Sequence, residues 1–274
     1  MAEGAASERD YLRQERLPTM WCPGCGNGLV MKAIIKAVMR LGLGRDEVAL
    51  LSGIGCSGRI SGYVDFNTMH TTHGRALAFA TGLKLSRPEL KVIVVMGDGD
   101  ALAIGGNHLI HAARRNMDLT AVVVNNSVYG MTGGQVSPLT PHGVHALTAP
   151  HGNVEQPFDV VALAEAAGAS FVARSTVFHM SELEQLLARG VEKEGFSLVE
   201  AISNCPVHYG RHSQMGGAID MLTWYRDNTM SVRVPAERRG GKIVRGVLVD
   251  RERPSYSEQY GKLVHRLQRE EGPR

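Results

Sequence analysis

The sequence predicts an α/β fold in which a parallel sheet is covered by helices on both faces. Runs of consecutive apolar residues alternate with segments whose apolar residues recur at helical spacing, as in KVIVVM followed by GGNHLIHAARRNM. Strands that are apolar throughout are typical of parallel sheets buried on both faces. Of the 274 residues, 43% are hydrophobic and 21% are charged, which is the composition of a globular protein.

The predicted elements follow one another after a polar N-terminal arm at residues 1–20. Helices are predicted where apolar residues recur at helical spacing, at residues 27–44, 73–87, 105–117, 160–169, 180–193 and 257–270. Strands are predicted in the apolar runs at residues 47–55, 91–100, 119–130, 170–175 and 196–206. Residues 132–157 are rich in Gly, Pro and His without periodicity, which favours a long functional loop. We therefore expect one domain at residues 21–205 and an irregular C-terminal extension at residues 206–274.

The bulk composition argues against several classes of partner. The net charge of +3 is too small for the basic face of a nucleic-acid-binding protein, and aromatic residues at 5% are too few for base stacking. No run of about 18 apolar residues is present, so we expect no membrane span. The polar start of the chain lacks the apolar core of a signal peptide. We expect a cytoplasmic protein whose four cysteines stay reduced or bind metal.

Acidic and amide side chains follow two of the predicted strands, as GDGD at residues 97–100 and NN at residues 125–126. Ligands of open α/β sheets bind at the carboxyl ends of strands, although Asp, Asn and Gly are also common turn formers. A dinucleotide fingerprint is excluded because Leu102 stands where Gly or Ala is required, and no phosphate-loop motif occurs. A diphosphate held by a divalent metal fits, since Asp98 and Asn126 supply oxygen ligands suited to magnesium.

The GDG and NN segments, separated by a helix and a strand, resemble the thiamine diphosphate motif. With NNSVYGMTGGQ and GGNHLIHAARRN, they are similar to the β subunits of 2-oxoacid:ferredoxin oxidoreductases, particularly those acting on 2-oxoglutarate. The resemblance runs from Cys22 to about Cys205, with weaker support up to VDRERPSYSEQYGKL. It implies a thiamine diphosphate-binding fold of the diphosphate type. It also implies magnesium ligation by Asp98, Asn126 and the Val128 carbonyl.

The expected cofactor site is formed by the turns after the strands and by the segment that follows NN. The residues expected to bind the cofactor are Ile54, Gly55, Cys56, Ser57, His73, Gly97, Asp98, Gly99, Asp100, Asn126, Val128, Tyr129, Gly130, Met131 and Thr132. For Tyr129 and Met131, packing in the core is the alternative interpretation.

The segment HTTHGRA places three polar side chains near the start of a helix. His73 and Arg75 are candidate catalytic residues that face the diphosphate or the substrate carboxylates. Local capping or packing is the alternative, and His70 is the weaker candidate because a polar helix start attracts such residues. Three further histidines of the long loop lack ligand-like spacing and are expected at the surface or against a partner; they are His142, His145 and His151.

The four cysteines are Cys22 and Cys25 around a Pro-Gly turn, Cys56 after one strand and Cys205 after another. In a parallel sheet the last two lie at the same edge as the GDG and NN turns, so all four can meet near the cofactor. A C-x-x-C pair alone also fits a redox dithiol or half of a zinc site, and buried cysteines act as small apolar residues. The spread spacing favours a 4Fe-4S cluster, and the resemblance implies these four ligands.

The resemblance implies the oxidative decarboxylation of a 2-oxoacid to an acyl-CoA and CO2. Coenzyme A is the co-substrate, electrons pass through the cluster to ferredoxin, and the reaction reverses as reductive carboxylation. The alternatives are a pyruvate-type β subunit, a non-redox thiamine diphosphate decarboxylase subunit with zinc or free thiols, and a non-catalytic zinc-stabilised module.

The resemblance also implies a partner, because thiamine diphosphate needs a Glu from a pyrimidine domain and this chain has room for one α/β domain. We expect an α subunit to supply that domain and its Glu, in a dimer of αβ heterodimers. Residues 206–274 are expected to pack on the partner subunit. The basic run ERRGGKIVR is expected to be a solvated surface, with docking of an acidic ferredoxin as the alternative.

Overall fold

The computed structural model describes residues 7–271. Its strands are β1 (Val48–Ser52), β2 (Asn67–His70), β3 (Lys91–Gly97), β4 (Thr120–Asn125), β5 (Phe171–Thr176), β6 (Ser197–Ile202), β7 (Thr229–Ser231) and β8 (Ile243–Asp250). They form one sheet in the order β2-β1-β3-β4-β6-β5-β8-β7. Every strand pair is parallel except β5 with β8. The predicted α/β fold class is confirmed, and the five predicted strands are β1, β3, β4, β5 and β6.

Helices cover both faces of this sheet. They are α1 (Asn27–Arg40), α2 (Ile60–Tyr63), α3 (Ala76–Ser86), α4 (Asp98–Leu102), α5 (Gly106–Arg115), α6 (Val160–Ala167), α7 (Met180–Glu192), α8 (Ala218–Asn228) and α9 (Tyr256–Glu271). The core on one face includes residues of α1 and α7, and the core on the other includes residues of α3, α5 and α6. Successive residues of β1, Leu50 and Leu51, are fully buried on opposite faces. Within residues 7–271, every helix is too short or too polar to cross a bilayer.

The C-terminal segment is more regular than the sequence predicts. We expected residues 206–274 to be irregular apart from one helix, but the described part up to residue 271 contains α8, β7, β8 and α9. Strand β8 joins the main sheet antiparallel to β5. Its sequence, IVRGVLVD, is interrupted by Arg245 and Gly246, and most of its residues are only half-buried, so it lacks the apolar run that identifies a core strand.

The described part of the N-terminal arm lies on the domain. Tyr11 is buried, its ring contacts the edge of Phe66 at a centroid distance of 5.9 Å, and its hydroxyl donates to the Leu43 carbonyl at 3.1 Å. One aromatic anchor in a polar segment gives little periodic signal. Residues 1–6 of the predicted arm and residues 272–274 of the predicted extension lie outside the described residues.

Candidate functional site

A cleft of about 180 Å³ lies between the turns at the carboxyl ends of β1, β3 and β4. Ligands of parallel α/β sheets bind at this edge. Most of the expected cofactor-binding residues line the cleft, and those that do are Ile54, Gly55, Cys56, Ser57, His73, Gly97, Asp98, Gly99, Asp100, Asn126, Val128, Tyr129, Met131 and Thr132. Gly130 and Arg75 lie in the same segments without lining the cleft.

The carboxylate of Asp98 is a buried acidic group of the cleft. Asp98 begins the short helix α4 and is 2% exposed. Its Oδ2 accepts from Ser137 Oγ at 2.6 Å, and its Oδ1 accepts from the Asn126 N–H at 3.0 Å. Burial raises the pKa of Asp98 to about 7, although these hydrogen bonds oppose the shift. Within residues 7–271, Asp98 forms no ion pair with a cationic side chain.

The two asparagines of the NN motif have different surroundings. Asn125 Nδ2 donates to Glu200 Oε1 at 2.7 Å, and Asn125 Oδ1 accepts from the Ser127 N–H at 3.1 Å. Arg174 holds Glu200 in turn, with its Nε 2.5 Å from Glu200 Oε2. Asn126 instead lines the cleft and contacts Asp98 through its backbone. Asn125 therefore supports the turn, while the side chain of Asn126 is available to a ligand.

Glycine at position 99 permits close packing on one wall of the cleft. A Cβ atom at Gly99 would overlap the Cε1 and Cζ atoms of the Tyr129 ring. Tyr129 can therefore lie against the first turn of α4 only because that residue has no side chain. The GDG motif thus has a packing role besides any contact to a ligand.

The long loop at residues 132–157 contributes to the cleft through residues that sequence reasoning missed. Ser137, 3% exposed, donates to Asp98, and Thr140 Oγ1 donates to the Ser127 carbonyl at 2.7 Å. Thr140 Oγ1 also accepts from the Ser137 N–H at 2.8 Å. The S-x-x-T spacing is a common local turn signal, but it does not reveal that the turn lies over the GDG motif.

The four cysteines meet at the same sheet edge. Trp21 Nε1 donates to the Cys56 carbonyl at 2.8 Å, and Asn204 Nδ2 donates to the Gly24 carbonyl at 2.7 Å. These bonds tie the C-x-x-C turn to the segments that carry Cys56 and Cys205. A Cβ atom at Gly130 would lie 3.7 Å from Cys205 Sγ and 3.8 Å from Cys56 Sγ, so both sulfurs lie beside the same residue of the NN segment.

All four thiols are free, and they are close enough to influence one another. Burial raises the pKa of Cys25 to about 11, and the neighbouring thiols of Cys205, Cys56 and Cys22 add to that shift. Cys205 is buried, whereas Cys22 is exposed. Within residues 7–271, no three side chains of His, Cys, Asp or Glu are close enough to share one metal ion.

His73 and Arg75 make different contacts. His73 Nδ1 lies 2.8 Å from Asp100 Oδ1, and the His73 ring lines the cleft. Arg75 donates to the Ile104 carbonyl at 3.1 Å, at the start of the neighbouring helical segment. Its guanidinium therefore holds loops together in this structure, while His73 remains the candidate for ligand contact.

His70 and the three histidines of the long loop do not line the cleft. His70 Nδ1 lies 3.0 Å from Ser52 Oγ, a buried hydroxyl that also donates to the Gly58 carbonyl. The loop histidines at 142, 145 and 151 are exposed. His70 therefore joins a local network behind the cysteine-bearing turn.

The chain is similar to known proteins along most of its length. Residues 53–201 match the family of the thiamine pyrophosphate enzyme C-terminal TPP binding domain. The chain is 48% identical over 258 residues to the 2-oxoglutarate synthase subunit KorB of Methanothermobacter thermautotrophicus, which covers 93% of this chain and 90% of that protein. The subunit of the same name from Archaeoglobus fulgidus is 61% identical over 203 residues, or 74% of this chain and 76% of that protein.

A solved structure shares the whole architecture. It is the 2-oxoglutarate:ferredoxin oxidoreductase from Magnetococcus marinus with 2-oxoglutarate, coenzyme A and succinyl-CoA bound. The TM-score is 0.87 at 34% sequence identity, and the match covers 96% of this chain and 91% of that chain.

Proposed function

We propose that this chain, which belongs to the β subunits of the 2-oxoacid:ferredoxin oxidoreductases, acts in the CoA-dependent oxidative decarboxylation of 2-oxoglutarate. The products are succinyl-CoA and CO2, the electrons pass to a ferredoxin, and the reaction reverses as reductive carboxylation. The observation that carries this proposal is that the cleft around Asp98 and the four cysteines lie together at one edge of the sheet.

The cleft fits a magnesium diphosphate. The Asp98 carboxylate is buried among hydrogen-bond donors and has no ion pair with a cationic side chain in the described part of the chain, so a divalent ion would compensate its charge. We propose Asp98, the side-chain oxygen of Asn126 and the Val128 carbonyl as the ligands. The other expected residues that line the cleft would contact thiamine diphosphate, and the glycines allow close approach of the backbone to phosphate.

The cysteines fit a 4Fe-4S cluster better than a single zinc ion. A zinc ion draws its sulfurs together through bonds of about 2.3 Å, whereas the four thiolates of a cluster surround a larger cage. The Sγ atoms of Cys56 and Cys205 lie beside the same residue, Gly130, and the thiols of the other three cysteines all contribute to the raised pKa of Cys25. Four thiols that converge from spread positions of the chain support the cluster. Free thiols also support a cytoplasmic location, because disulfides are favoured in oxidising compartments.

When bound, thiamine diphosphate supplies the electron sink for decarboxylation and the cluster supplies one-electron transfer. The residues of this chain hold and orient these groups. The cluster would be bound by the thiolates of Cys22, Cys25, Cys56 and Cys205. Burial raises the pKa of three of these thiols, those of Cys25, Cys56 and Cys205. Assembly of the cluster must therefore displace their protons.

The size of the cleft and an exposed face of helix α9 support a site that a partner subunit completes. A cleft of about 180 Å³ is smaller than the about 300–1,000 Å³ of a complete ligand pocket. Helix α9 also carries an exposed apolar stripe at helical spacing, formed by Tyr256, Tyr260, Leu263 and Leu267. We propose that residues 206–274 pack on an α subunit that supplies the pyrimidine domain and its Glu, in a dimer of αβ heterodimers.

The test is the reduction of ferredoxin by the anaerobically purified two-subunit complex, with coenzyme A and either 2-oxoglutarate or pyruvate. We expect the reduction of ferredoxin to depend on coenzyme A and to be absent with this chain alone. We expect kcat/KM for 2-oxoglutarate to be at least about 10-fold higher than for pyruvate, which corresponds to about 1.4 kcal/mol in transition-state binding. Preference for pyruvate would exclude the 2-oxoglutarate assignment while retaining the enzyme class. Turnover by the isolated chain at the rate of the complex would exclude the shared site.

A further inference from the structure

The carboxylate of Asp100 joins the turns that follow three strands. Asp100 is 2% exposed and lies in α4, directly after β3. Its Oδ1 accepts from the Gly74 N–H at 2.6 Å and from the Ile54 N–H at 3.3 Å, and it lies 2.8 Å from His73 Nδ1. Ile54 follows β1, whereas His73 and Gly74 follow β2. One oxygen atom therefore fixes the turns of β1 and β2 relative to that of β3.

This carboxylate is enclosed by the protein. A Cβ atom at Gly53 would overlap both of its oxygens, and Asp100 Oδ2 is buried without a hydrogen-bond partner in residues 7–271. The His73 ring is different, because its side chain is 37% exposed and it lines the cleft. Asp100 also belongs to the lining of the cleft, but its carboxylate is buried against Gly53, so the imidazole is the exposed part of this pair.

We propose that Asp100 is a positioning residue for His73 rather than a direct ligand of the cofactor. This inference deepens the proposed function, and its assignment of the ligand rests on that function. Asp100 accepts a hydrogen bond from His73 Nδ1–H, which fixes the tautomer and the ring plane and leaves Nε2 toward the cleft. A carboxylate that orients an imidazole through Nδ1 is a common arrangement in catalytic and metal sites.

The group that His73 Nε2 meets is an anionic oxygen of the ligand. When an anionic oxygen binds, the ring would take up a proton from solvent at Nε2, donate to that oxygen there and keep its Nδ1–H bond to Asp100, whose buried carboxylate would balance the added charge. Two sources of such an oxygen fit the cleft, namely the diphosphate of thiamine diphosphate and the carboxylate of the 2-oxoacid. Both require the same fixed orientation of the ring.

The first test is the tautomer of His73 in the full chain without ligands. Side-chain proton–nitrogen correlation spectra of the 15N-labelled chain report which ring nitrogen carries the proton, and His73→Gln identifies the signals. We expect Nδ1–H for His73, and a loss of that preference in Asp100→Asn. His70→Gln is the matched control, because it removes a nearby histidine that does not line the cleft. A His73 ring protonated at Nε2 in the neutral wild-type chain overturns the proposal, whether or not the Asp100 variant folds.

The second test is a double-mutant cycle in the two-subunit complex. We expect His73→Gln to raise either the Kd for thiamine diphosphate, measured by calorimetry without 2-oxoacid, or the KM for 2-oxoglutarate, by about 10-fold, the scale of one hydrogen bond to a charged group. The parameter that changes identifies the oxygen.

Asp100→Asn should weaken the same parameter, and the double variant should be no worse than His73→Gln. Additive losses would assign Asp100 a merely structural role, and unchanged parameters in His73→Gln would exclude the ligand contact. A complex that binds thiamine diphosphate but does not act on 2-oxoglutarate would refute the proposed function, yet leave the tautomer result standing.

Discussion

Replacing Gly99 with alanine should force the Tyr129 ring out of its position. The added Cβ atom would overlap Cε1 and Cζ of that ring, and overpacking of this kind costs about 1–3 kcal/mol. Gly99 lies in α4 with a backbone that is not left-handed, so alanine is not strained there, and its better helix propensity offsets up to about 1 kcal/mol. We expect a net loss of about 1–2 kcal/mol in the free energy of unfolding.

The measurement is urea denaturation of the full chain followed by circular dichroism. Gly106→Ala is the matched control, since a Cβ atom there meets nothing within 4 Å, and it should shift the midpoint little. In a Tyr129→Ala background the ring is absent, so Gly99→Ala should become neutral or stabilising. A loss of the same size with and without the ring would refute the explanation by steric overlap.

Asp98→Asn should weaken thiamine diphosphate binding in calorimetry by at least about 10-fold, the equivalent of about 1.4 kcal/mol, because the metal loses its charged ligand; unchanged affinity would contradict the magnesium site. Serine in place of any one of the four cysteines should lower the iron content and visible absorption of the anaerobic complex, and full iron in all four variants would rule out the cluster ligands. Asp250→Asn should cost about 0.5 kcal/mol of unfolding free energy at neutral pH, since an exposed ion pair contributes little. A hydrogen bond from Lys193 lowers the pKa of Asp250 below 3.8 in the folded chain. The stabilisation should therefore be present above the unfolded pKa and disappear as the pH falls through the lower folded value. If the variant and the wild type still differ in unfolding free energy in acid, the ion pair is not the cause of that difference.

The sequence was sufficient for the fold class and for most of the residues around the cleft. Both depend on local patterns, namely apolar runs that form buried strands and polar residues that stand directly after them. Parallel pairing then brings strand ends to one edge, so Asp98, Asn126 and Cys56 are predicted to be neighbours without knowledge of any side-chain contact. Strands β2, β7 and β8 were missed because exposed, very short or interrupted strands carry no apolar run.

What only the tertiary structure decided is which side chains act on one another. The hydroxyl of Ser137 reaches Asp98 across 39 positions of sequence, and Asp100 reaches His73 across 27. Such contacts depend on how a loop lies over the end of a strand and on which rotamers the packing allows. Neither property produces a periodic pattern in the sequence. The sequence by itself therefore determined the location of the candidate site, because the ends of the buried strands can be recognised from local sequence patterns. The structure decided that the Asp100 carboxylate is buried between the turns while the His73 ring is partly exposed in the cleft, because burial and hydrogen bonding of a carboxylate depend on all the segments that surround it.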